Sequence, residues 1–133
     1  MRISMKIYLM SFIISLLFSA LLNAQDKTEE VKYEMKTYYM AFLMKGPNRD
    51  QDSTTAQQIQ QAHMDHINKM AEDKKLVIAG PFLDDGDIRG IFIFNVETME
   101  EAIALTEADP AVKAGRLIME IHPWWGAKGS CLE

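Results

Sequence analysis

The side chains best suited to acid–base work in this chain are its three histidines, His63, His66 and His122. Imidazole is the group that exchanges a proton near neutral pH. His63 and His66 stand one helical turn apart in QIQQAHMDHINKMAE. Two histidines so spaced raise a metal site, but the run lacks the His-Glu-x-x-His pattern and an assured third ligand, so no metal and no cofactor are expected. His122 ends an apolar run beside Trp124 and Trp125. There it would line the mouth of a cleft, although the tryptophans serve equally well as core or dimer contacts. Asp109 precedes Pro110, a position that caps a helix and that also suits a carboxylate holding an imidazole. Such a carboxylate accepts from one ring nitrogen, fixes the tautomer and leaves the other nitrogen as a base. That chemistry removes a proton beside a carbonyl or from a phenol, and it serves isomerisation, lactone chemistry or elimination. A histidine on an apolar helical face, bonded to an aspartate at the end of the next helix, is equally a way of satisfying two buried polar groups.

Other chemistry is poorly supported. Ser53, Ser130 and Cys131 lie at a helix start or in the tail, without the context of a nucleophile. Asp84, Asp85 and Asp87 do not have the spacing of a calcium loop and read as a solvated turn. Arg89, in the same turn region, pairs with a carboxylate or, by default, is a surface charge.

The elements that must position these groups follow from patterning. Thr37 to Lys45 is aromatic and apolar and stops at Gly46-Pro47, as a strand does. A helix is expected from an N-cap at Ser53 or Thr54 to about Asp73, with Ile59, Ala62, His63, His66, Ile67 and Met70 on its inward stripe. Lys75 to Phe82 and Ile88 to Val96 make a hairpin across the acidic turn. Thr98 and Glu101 form a capping box for a second helix, Met99 to Ala108. Pro110 opens a short turn that Gly115 closes. Arg116 to His122 is the last strand, followed by Pro123-Trp124-Trp125-Gly126 and a tail. The order is α+β, βαββαβ, the ferredoxin-like arrangement. Both faces of the first and third strands are apolar, so the face without helices needs a partner, and two copies packing sheet to sheet supply one.

Residues 1–24 read as a signal peptide, with Arg2 and Lys6 ahead of an apolar run too short for a spanning helix. The protein is therefore expected to be exported, periplasmic or secreted, with no membrane span after cleavage. Loss of Arg2 and Lys6 takes the formal net charge from −5 to −7. An acidic domain without a basic stripe argues against nucleic-acid binding. Residues 25–36 are a polar lead-in, residues 37–126 the folded domain and residues 127–133 the tail. One cysteine, Cys131, allows no internal disulfide and only an intermolecular one.

The run His63-Met64-Asp65-His66-Ile67-Asn68-Lys69-Met70, leading to Lys75-Leu76-Val77-Ile78-Ala79-Gly80-Pro81, resembles the YCII-related proteins. So does Glu101-Ala102 followed by Asp109-Pro110-Ala111-Val112-Lys113-Ala114-Gly115. The resemblance implies a dimeric α/β barrel with a cleft holding a catalytic histidine and aspartate, here His63 and Asp109. Many relatives carry an arginine three residues before the histidine, where this chain has Gln60. The expectation is a homodimer acting on a small molecule by proton transfer, isomerase- or lyase-like, with His66, His122 and Trp125 as substrate contacts. The alternative is a non-catalytic ligand-binding or scaffolding dimer of the cell envelope, with Trp124-Trp125 available to an envelope partner.

Overall fold

The computed structural model describes residues 32–130 and 132. The expected signal peptide, most of the polar lead-in and Cys131 lie outside the described residues. Four strands and three helices follow in the order β1 (Met35–Lys45), α1 (Ser53–Glu72), β2 (Leu76–Pro81), β3 (Ile88–Phe94), α2 (Met99–Glu107), α3 (Pro110–Lys113) and β4 (Leu117–Ala127). The sheet runs β2-β3-β1-β4 with every neighbouring pair antiparallel. This is the α+β ferredoxin-like fold. No helix among the described residues is long and apolar enough to cross a membrane.

Alternation along the strands sorts the side chains to two faces. Ala41, Leu43, Phe92 and Phe94 point to one face and pack with Met70, Leu76, Val96 and Ala102 into the core. Ile67 and Leu105 join from the helices, so the helices cover this face. The opposite face carries Tyr38, Phe42 and Ile93 with Ile118, Glu120, His122 and Trp124. Ile118 and Trp124 are 52% and 39% exposed. That face is apolar without a helical cover, as the double-sided patterning predicts.

Three of the departures from expectation have definite reasons. The N-cap of α1 is Asp52, whose carboxylate accepts from the Thr55 amide at 3.0 Å and the Thr55 hydroxyl at 2.7 Å. These donors, the amide foremost, hold the Asp52 carboxyl below the usual carboxylate range. The expected capping box at α2 is half formed: Thr98 accepts from the Glu101 amide at 3.1 Å, while the Glu101 carboxylate turns to Lys75 at 2.9 Å. Finally, β4 continues through Pro123 to Ala127, and Met35 to Thr37 extend β1 to pair with it. Proline reads as a stop, but β4 is an edge strand, and the missing N–H of Pro123 is tolerated where no neighbour needs it. Pro81 sits in β2, the other edge.

Helices α1 and α3 end in the same way. Lys75 N–H donates to Met70 and Lys74 N–H to Ala71 at the first, and Arg116 N–H donates to Ala111 and Gly115 N–H to Val112 at the second. Both are Schellman closures, which need a left-handed residue. Gly115 supplies it at φ 70°, but α1 uses Lys74 at φ 59°.

Candidate active site

His63 lies in the middle of α1, on the stripe that faces the sheet, and is 7% exposed. Its Nδ1 stands 2.7 Å from Oδ2 and 2.9 Å from Oδ1 of Asp109. Asp109 is completely buried at the mouth of α3, where Oδ1 also accepts from the Ala111 amide at 2.8 Å. The ring of His63 stacks on Phe92 with centroids 6.0 Å apart and planes 18° from parallel. Helix α1, the α2–α3 corner and strand β3 therefore each contribute one constraint, and together they fix the imidazole. In the neutral ring with Nδ1–H donating to Asp109, Nε2 carries the free lone pair. Nε2 has no hydrogen-bond partner among the described residues, and no buried side-chain polar atom there is left unpartnered, so Nε2 is reached from solvent.

His63 also lines a cavity of about 330 Å³ between α1 and the sheet. The wall is apolar at Leu43, Ile67, Phe92 and Leu117. Its polar groups besides His63 are Gln60, Arg49, Arg89 and Arg116. Sequence reasoning gave the arginines no part in the site. Arg89 was expected to be an ordinary surface charge; it is half-buried and donates through Nη1 to the Asp84 and Gly86 carbonyls at 3.2 Å, across its own turn. Arg116 follows directly from the Gly115 closure of α3 and donates to Gln51 Oε1 at 2.6 Å. Arg49, on the exposed loop after β1, donates to the Arg116 carbonyl at 2.9 Å. That loop meets the start of β4 because Gly46 and Gly115 allow their backbones to touch: a Cβ on Gly46 would collide with the Gly115 carbonyl. Only an unusual glycine at each of two distant turns signalled this convergence.

The other expected contacts stand elsewhere. His66 Nε2–H donates to the Leu105 carbonyl at 2.8 Å and so ties α1 to α2. His122 lies on the helix-free face, 2.8 Å from Glu120 and edge-on to Phe42 at 6.0 Å. Trp125 is 63% exposed opposite Thr37, at the far end of β4 from the cavity. None of the three lines the cavity. His66 is turned away by its own helical phase, His122 by strand alternation and Trp125 by the extension of β4. Among the described residues, no three histidine, cysteine or acidic side chains converge as metal ligands.

Comparison with known proteins bears on the family and the fold. The chain is 29% identical, over 62 residues, to the uncharacterised protein YjpA of Bacillus subtilis (strain 168), a match that spans 47% of this chain and 71% of that protein. Its fold is similar to 5-chloro-2-hydroxyhydroquinone dehydrochlorinase from Burkholderia phenoliruptrix AC1100, solved with 2,5-dihydroxybenzoquinone. That likeness has a TM-score of 0.50 at 22% identity and covers 65% of this chain and 92% of the other. The family model of the YCII-related domain matches residues 37–125, and the chain belongs to that family.

Proposed function

We propose that the protein is an enzyme of small-molecule proton transfer, with His63 Nε2 as the base and Asp109 as the residue that orients the ring and stabilises the imidazolium. The observation that carries this reading is the asymmetry of His63: Nδ1 is locked on a buried carboxylate while Nε2 is without a partner among the described residues, on a ring that lines a cavity. Nε2 removes a proton from carbon beside a carbonyl or from a phenol, and the electron pair passes into the enolate or phenolate. The enolate then either expels a leaving group, as in a lyase, or takes the proton back at another carbon, as in an isomerase. The reaction named for the structural neighbour, a dehydrochlorination, likewise releases a leaving group. A homodimer formed through the helix-free sheet face is part of the same proposal and is supported by the exposed Ile118 and Trp124. Export is proposed on the pattern of residues 1–24 alone.

The test is solvent-deuterium incorporation or halide release with chlorinated hydroquinones, hydroxyquinones and cyclic enones. His63→Gln is expected to lower the rate by about 10²–10⁴-fold, the usual worth of a general base, and Asp109→Asn to lower it while leaving the fold intact. A second reading, a ligand-binding dimer without turnover, draws on the capping bond that Asp109 accepts from the Ala111 amide, which gives the aspartate a structural task of its own. Equal rates in the wild type and a folded His63→Gln variant would decide for it.

A further inference from the structure

Beyond the histidine–aspartate pair, the cavity has an electrostatic character that the dyad does not account for. Arg49, Arg89 and Arg116 are the only arginines among the described residues, and all three line this one cavity. They come from the loop after β1, from β3 and from the start of β4, so their meeting is a product of the tertiary fold. The chain is acidic overall, with 19 Asp and Glu against 14 Lys and Arg. Yet no arginine forms an ion pair with a carboxylate among the described residues, whereas Lys45, Lys69, Lys75 and Lys128 all do. No aspartate or glutamate lines the cavity either, Asp109 lying behind His63. Each guanidinium is instead tethered through Nη1 to an uncharged oxygen. That tether orients the fork and leaves its other N–H groups for a ligand. Permanently charged groups gathered at an apolar wall without a counterion repel one another.

We infer that the cavity binds a small organic anion, a carboxylate or phenolate borne on a compact apolar ring, with the arginines on the charge and Leu43, Ile67, Phe92 and Leu117 on the ring. Guanidinium forks match carboxylate geometry and bind it more strongly than a lone ammonium would. Gln60, on α1, leaves the helix side of the cavity uncharged, so the anionic end of the ligand faces the strand ends. The scissile proton then lies toward α1 and His63. The inference rests on the proton-transfer reading for the ligand's being a substrate, while anion capture is measurable without turnover.

Benzoate and its uncharged isostere benzamide are the probes, titrated into the intact protein by calorimetry and by NMR of the His63 ring. Benzoate is expected to bind at least about tenfold more tightly than benzamide, to shift the His63 resonances and to weaken as salt is added. Arg89→Gln and Arg49→Gln are each expected to lower benzoate affinity about tenfold or more, the worth of a charge-assisted hydrogen bond, and to leave benzamide unchanged. His63→Gln is expected to keep the preference for benzoate, so a loss of catalysis and a loss of anion binding are read separately. Arg49, on an exposed loop, carries the test should Arg89→Gln loosen its hairpin. Equal affinity for the two probes, no saturable benzoate binding, or an unchanged preference in folded arginine variants would overturn the inference.

Discussion

Single side chains here divide between those whose partner is a neighbour in sequence and those whose partner arrives from another element. The Lys75–Glu101 pair is of the second kind. Its 2.9 Å hydrogen bond raises the Lys75 amine above its ordinary value and lowers the Glu101 carboxyl below its own. A depressed acid adds stability above its unfolded pKa and loses it on acidification, whereas a raised base adds stability below its unfolded pKa and loses it in alkali. The pair therefore contributes between about pH 5 and pH 10 and fades on both sides. Thermal denaturation of Glu101→Gln against wild type should show the largest gap near neutrality and a shrinking one at either extreme. A gap that stays constant with pH would mean that Glu101 acts through packing. His63 and Asp109 were legible as a pair because family-like motifs mark them 46 residues apart. The arginines were not, since residues 49, 89 and 116 carry no common motif and acquire a shared purpose only when the strands align.

At the scale of elements, hydrophobic period served well. The inward stripe of α1 reads directly from the sequence, and His63 and Met70 are its two buried members. Boundaries were harder, because a cap is decided by competition among adjacent side chains: Asp52 takes the Thr55 amide before Ser53 or Thr54 can act. The two Schellman closures offer a comparison inside one molecule. Gly115 meets the left-handed requirement without strain, and Lys74 does not. Lys74→Gly should stabilise the protein by about 0.5–1 kcal/mol, the residual after glycine's greater freedom in the unfolded chain is set against relieved strain. Urea denaturation would measure it. Unchanged or lower stability would show that the lysine side chain compensates for its backbone.

For the molecule as a whole, the two-faced apolar patterning of β1 and β3 was the strongest single signal, because the helices of a βαββαβ chain cover only one face of its sheet. The helices bury one. The proposed dimer buries the other, and it makes a direct prediction: Ile118→Lys should shift the protein from dimer to monomer in size-exclusion chromatography with light scattering. A wild type that is monomeric at all concentrations would remove the dimer.

Proline at both margins of the sheet has a further effect on how copies can meet. A ribbon that cannot be lengthened sideways is a poor template for filaments, since each added strand requires an uninterrupted row of donors. Pro81 and Pro123 break that row left and right. Association is steered away from open-ended stacking and toward a closed pair, so a concentrated solution of this protein should stay clear where an unguarded sheet would gel.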